Sequence, residues 1–199
     1  VANRDANRRR LADAHGLEAD VPWLLAVAMM RAGDKLASYG ALADGLSRMK
    51  ERSWRLLVVG DGDARAPVEG AFVGVAERVR WLGALETEAL AEVYSACDLY
   101  VWPAVNEAYG MAIVEAQASG LAVVAGDEGG VRGVVEDGES GILVPARDAC
   151  AVAAAVAALL DDGTERRRMG ARALRLADER HGLAGAARTL DETLQRLVS

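Results

Sequence analysis

The sequence predicts an open, doubly wound α/β fold: a parallel sheet of about six strands, Rossmann-like, with helices on its faces and a helical layer at the C-terminus. Three observations predict it. Short apolar runs alternate with helical stretches about six times along the 199 residues. Most of these runs are apolar throughout, as strands are when both faces of a parallel sheet are covered. After the last run only helical pattern remains.

The elements follow in order. ANRRRLADAHG (6–16) reads as a helix that stops at Gly16, a residue favoured just past a helix end. VPWLLAVAMM (21–30) is the first strand run, and LASYGALADGLSRM (36–49) has helical spacing. WRLLVVG (54–60) is the second strand run; ARAPVEGAFVGVAE (64–77) is a weak helix and RVRWLG (78–83) a short strand. ETEALAEVYSAC (86–97) is a helix with acidic residues in its first turn, where the helix dipole favours them. DLYVWP (98–103) is a strand stopped by Pro103, GMAIVEAQAS (110–119) a helix stopped by Gly120, LAVVAG (121–126) a strand and GILVP (141–145) the last strand. Three helical stretches close the chain, an Ala-rich one (149–162) and amphipathic ones at 164–182 and 183–199.

Composition bounds the function. With 52% apolar residues the chain can build a sizeable core, and disorder is not expected. Thirty acidic against 23 basic residues leave a net charge of −7, a poor footprint for nucleic acid. Two cysteines, Cys97 and Cys150, without a paired pattern, fit a reducing, cytoplasmic setting and give neither a disulfide framework nor a zinc site. They read as small packing residues. No apolar stretch approaches the roughly 20 residues of a membrane span. The chain starts at Val1 without an initiator Met, as expected of a processed or excised piece.

In such sheets ligands bind outside the carboxyl ends of the strands. Arg31 and Lys35 follow the first strand, Asp61 to Asp63 the second, Gly83 the third, NEAYG (106–110) the fourth and DEGG (127–130) the fifth. Glu107 therefore sits in a loop on the ligand edge and Glu115 on the second turn of the helix that starts there. The amides of Gly110, Met111 and Ala112 head that helix, at its positive dipole end. Two cations and a helix N-terminus suit a diphosphate; two carboxylates suit the hydroxyls of a polyol. Together they describe a nucleotide-sugar. GDGDAR (60–65) lacks the third glycine of a dinucleotide fingerprint, because Arg65 stands in its place. The Asp61–Asp63 pair reads as turn chemistry rather than a metal site. His15 and His181 read as helix-end residues far from this motif, the Arg run 166–168 as a solvated helix face, and the four tryptophans as core, with only Trp102 near the cleft.

PAVNEAYGMAIVEAQASGLAVVA (103–125) resembles the signature of the family-4 retaining glycosyltransferases, the group 1 glycosyltransferases of GT-B fold, in which seven residues separate two glutamates. AMMRAGDK, LLVVGDG, RVRWLGALETEALAEVYSACDLYVWPA and EGGVRGVVEDGESGILVP are similar to further segments of that family, over roughly residues 20 to 160. The resemblance implies a single nucleotide-sugar-binding domain over 1–199, the C-terminal half of such an enzyme, with the N-terminal acceptor-binding domain absent. It implies metal-independent, retaining transfer of a hexosyl group. Membrane contact would come only through the other half, and this half alone would turn over little or nothing. Arg31 and Lys35 would bind the donor diphosphate, Glu107 a sugar hydroxyl and Glu115 the ribose. The amides from Gly110 to Ile113, with Met111 and Ala112 between, would bind sugar and phosphate oxygens. Gly60, Asp61 and Gly62, with Leu82, Gly83 and Ala84, would border the base. Two departures are visible: the Arg31-to-Lys35 loop is short, and Gly133 stands where many relatives have Glu. A non-catalytic nucleotide-binding or interaction domain and a GT-B nucleotide-sugar epimerase are the alternative readings.

Overall fold

A computed structural model of the chain describes residues 3–182. Six strands, β1 (Trp23–Val27), β2 (Arg55–Val59), β3 (Val79–Gly83), β4 (Leu99–Trp102), β5 (Ala122–Gly126) and β6 (Gly141–Val144), form one sheet in the order β3-β2-β1-β4-β5-β6. Every pairing is parallel. Successive residues of a strand point to opposite faces. All residues of β4 and β5 and four of the five in β1 are buried, so both faces of the central sheet are covered. This is the predicted doubly wound α/β fold.

The helices are α1 (Arg4–His15), α2 (Asp34–Ser47), α3 (Arg65–Ala71), α4 (Thr87–Ala96), α5 (Met111–Ala118), α6 (Ala149–Asp161) and α7 (Gly163–His181). Their ends obey local rules. Gly16 closes α1 in the left-handed region, its amide reaching Ala12 O. Asp148 caps α6 by accepting from Ala151, and Asp162 caps α7 by accepting from Thr164 and Glu165. The stretch expected as one weak helix over 64–77 divides instead into α3 and a 3-10 segment, Val73–Arg78, broken at Val75, whose backbone is not helical. Val75 at that break is fully buried, as is Phe72 at the end of α3, which packs against Trp81. The helix expected over 183–199 lies outside the described residues.

The core runs along the sheet. Trp23, Trp54, Trp102, Tyr39, Tyr100 and Phe72 are its largest fully buried side chains, whereas Trp81 is only half-buried. Helices pack in pairs over it, α1 on α4, α2 on α6 and α5 on α7. Arg8 pins α1: its guanidinium lies 4.2 Å from the Trp23 ring centroid, pairs with Asp98 at 3.0 Å, and donates to the carbonyls of Ala19, Val21 and Ala96. Among the described residues no helix is long and apolar enough to cross a membrane.

Candidate functional site

β1 lies between β2 and β4, so the chain leaves β1 toward one side of the sheet and returns on the other. A crevice opens at the carboxyl ends of strands where the order reverses in this way. Here it is a cleft of about 490 Å³. Its wall is built from Val27 at the end of β1 with Ala28 and Met29 after it, Lys35 of α2, Gly60 behind β2, and Ala84 and Leu85 behind β3. Trp102, Glu107 to Gly110, and Met111, Ala112, Ile113 and Glu115 of α5 complete it. A wider groove of about 760 Å³ runs along residues 143–150 beside Asp44 and Arg48 of α2; Asp127 and Glu128, expected on the ligand edge, line this groove and not the cleft.

The loop after β4 is strained and tied down. Ala104 and Asn106 have φ of 54° and 50°, in the left-handed region that non-glycine residues seldom occupy. Three bonds hold them there. Val105 N donates to Ser38 Oγ at 3.0 Å, Asn106 N to Glu128 at 2.6 Å, and Asn106 Nδ2 to Asp34 at 2.8 Å. The glycine pair behind β5 closes the other side. A Cβ at Gly129 would fall 1.9 Å from Glu107 O, and one at Gly130 would fall 2.3 Å from Ala108 O. Only glycines let these two backbones meet.

This loop delivers Glu107 into the cleft. Its Oε2 accepts from Lys35 Nζ at 2.5 Å and from Trp102 Nε1 at 3.3 Å. The ammonium also stands 5.5 Å from the Trp102 ring centroid. Lys35 and Glu107, expected to bind different parts of a ligand, are thus ion-paired with each other. Eight positions on, Glu115 accepts at Oε2 from the Tyr94 hydroxyl at 2.9 Å. Between the two, Gly110 starts α5 with φ 90°, and its carbonyl accepts from the amides of Ile113 at 2.9 Å and Val114 at 3.2 Å. Those two amides are spent within the helix; the amides of Met111 and Ala112 stand ahead of them at its N-terminus.

Several expected residues lie outside the cleft wall. Arg31 is exposed, its guanidinium 2.9 Å from the Met29 sulfur, and unlike Lys35 it does not line the cleft. Asp61 is occupied in its own turn, accepting from Gly62 N at 2.8 Å and Arg65 at 3.3 Å. Gly62, Leu82 and Gly83 do not line the cleft; Gly83 O accepts from Gly60 N at 2.8 Å, joining the loops after β2 and β3. Met29, Leu85, Leu90 and Tyr100 are lining residues that the sequence did not single out. Leu90 shares the apolar stripe of α4, which at helical spacing reads as core, and Met29 is the next-to-last residue of an apolar run.

Three further expectations are corrected. His181, placed far from the motif, lies with Nδ1 3.2 Å from the Tyr109 hydroxyl, because α7 packs along α5 and its last turn returns to the loop. Cys150 is exposed, whereas Cys97 is buried as expected. Arg168 is not merely solvated: it bonds Glu165, Glu139 and the carbonyl of Gly138, tying α7 to the turn before β6. Burial pushes the Cys97 thiol up, with the Asp98 charge adding to it.

The family model described as glycosyl transferases group 1 matches residues 22–162. The chain belongs to the group 1 glycosyltransferases. The match takes in all six strands and every residue of the cleft. Among curated relatives, the D-inositol 3-phosphate glycosyltransferase of Nocardia farcinica is 37% identical over 86% of this chain and 39% of its own length. The alpha-D-kanosaminyltransferase of Streptomyces kanamyceticus is 34% identical over 93% of this chain and 48% of its own. The chain thus spans less than half the length of these curated relatives. Among solved structures, the sucrose-phosphate synthase of Thermosynechococcus elongatus superposes with a TM-score of 0.82 at 27% identity, over 96% of this chain and 49% of that one. The Anabaena HepE structure with UDP and glucose gives 0.80 at 21% identity, a likeness of fold.

Proposed function

We propose that this chain is the donor-binding part of a group 1 glycosyltransferase, holding a nucleoside-diphosphate sugar for metal-independent, retaining transfer of a hexosyl group. The observation that carries the reading is convergence. Lys35, Glu107, Glu115 and the N-terminus of α5 line one cleft at the point where the strand order reverses.

Each group has chemistry to match. In transfer the bond from the anomeric carbon to the diphosphate oxygen breaks, and the electron pair leaves with the diphosphate. The Lys35 ammonium and the amides of Met111 and Ala112 are fixed donors for that developing charge. The diphosphate takes Lys35 from Glu107, and the released carboxylate accepts from a sugar hydroxyl while Trp102 Nε1 keeps it in place. Glu115 accepts from the ribose. The apolar end formed by Gly60, Ala84, Leu85 and Leu90 takes the base. Arg31 reaches the phosphates by a rotamer change of an exposed side chain, leaving only the Met29 sulfur. The acceptor is held by a further domain of the protein, consistent with the larger size of the curated relatives.

Calorimetric titration of this chain with UDP, GDP, ADP and their common sugar conjugates tests the reading, with Glu115→Ala as control. Saturable binding of one nucleotide, weakened in the control by about tenfold or more, is expected. No binding of any nucleotide, here or in a longer form carrying the acceptor domain, refutes it.

A further inference from the structure

We propose that Tyr94 is a positioning residue for the nucleotide's ribose, acting through Glu115 without touching the ligand. The inference rests on the donor-site reading above and goes one layer behind it.

Glu115 is on the exposed side of α5, and a free glutamate there would sample many rotamers. Tyr94 removes that freedom. It stands on α4, 2% exposed, behind the cleft wall rather than in it. Its ring packs against Tyr100 with centroids 6.3 Å apart, so the hydroxyl cannot wander. That oxygen lies 2.9 Å from Glu115 Oε2 and 3.2 Å from Ala112 O, in the turn just before Glu115. A phenol has one proton to give. Burial above all, then Tyr100 and the Glu115 charge, pushes the Tyr94 pKa upward, so the hydroxyl remains the donor and Glu115 the acceptor. One carboxylate oxygen is thereby anchored. Oε1, and the second lone pair of Oε2, remain for a ligand. A carboxylate held this way suits two adjacent hydroxyls, which is what a ribose offers and a 2′-deoxyribose does not.

The readout is the preference for ribose over 2′-deoxyribose, a ratio that general damage to the fold leaves unchanged. UDP, GDP and ADP and their 2′-deoxy counterparts would be titrated into the wild-type chain, Tyr94→Phe and Glu115→Ala. For the nucleotide that binds, Tyr94→Phe is expected to weaken the ribonucleotide by about fivefold and the deoxynucleotide by less than about twofold. Replacing Tyr94 by 4-aminophenylalanine, which keeps the ring and supplies an N–H donor, should restore most of the ratio. It also serves if the Phe variant does not fold. An equal loss for both sugars, or a ratio that Tyr94→Phe leaves at the wild-type value, overturns the role of Tyr94 alone, provided Glu115→Ala abolishes the preference. A wild-type chain that binds without preference, or a Glu115→Ala variant that keeps the preference, overturns the ribose role of Glu115 and this inference with it; no binding of any nucleotide, here or in a longer form carrying the acceptor domain, overturns the donor-site reading as a whole.

Discussion

Lys35 shows why a single side chain carries so much here. Its ammonium is half-buried between the Glu107 carboxylate and the face of Trp102. A cation so placed is poorly solvated and keeps a partner; exchanging a carboxylate for a diphosphate replaces one anion by a more highly charged one. The contribution should therefore depend on the phosphates and not on the nucleoside. Lys35→Ala is expected to weaken a nucleoside diphosphate by about tenfold or more and the matching nucleoside by less than about twofold. Parallel titrations with UDP and uridine, or the equivalent pair for the base that binds, read it. Equal weakening of both would place Lys35 away from the phosphates. The sequence showed that Lys35 and Glu107 belong to one edge, because both follow strands. It could not show that they bond to each other. They lie seventy-two positions apart, and the contact depends on how far the loop after β4 bends toward α2.

That bend is a property of elements. Ala104 and Asn106 adopt backbone angles they disfavour because α2 and the loop after β5 both grip the turn. Gly129 and Gly130 then let the turn rest against the β5 loop. A glycine pair near an expected ligand edge is legible in sequence; the reason for it, contact with the carbonyls of Glu107 and Ala108, is not. Gly129→Ala adds two costs. The methyl would lie 1.9 Å from Glu107 O, and φ of 58° is strained for alanine. Destabilisation of about 2 to 4 kcal/mol is expected, with nucleotide affinity falling as Glu107 is displaced. Denaturant melts and titration together check it. A variant with wild-type stability would mean that the loop is free to move aside. The opposite lesson comes from the stretch over 64–77. There the helical propensity was weak, and the stretch divides where Phe72 and Val75 are both fully buried. His181 makes the same point from a distance, since only the packing of α7 on α5 brings it to Tyr109.

For the whole molecule, the strand order matters most. Apolar runs were enough to read a parallel sheet, and every described strand lies within the stretch read for it. The order β3-β2-β1-β4-β5-β6 is not written in any run, yet it places the cleft between two halves of the sheet. Val27 to Met29 and Lys35 come from one half; Trp102, Glu107 and Glu115 come from the other. A ligand spanning that cleft makes contact with both halves in the folded state and with neither in the unfolded chain. Its binding must then stabilise the fold as a whole. At a nucleotide concentration one hundred times the dissociation constant the gain is about 2.7 kcal/mol. For a chain of this size each kcal/mol moves the midpoint by about 2 to 4 °C, so the melt should shift upward by about 5 to 10 °C. Hydrogen exchange should slow in both 27–35 and 104–115 under the same conditions. Protection confined to one of the two segments would show the ligand resting on one half of the sheet, and the cleft at the strand reversal would not be its site.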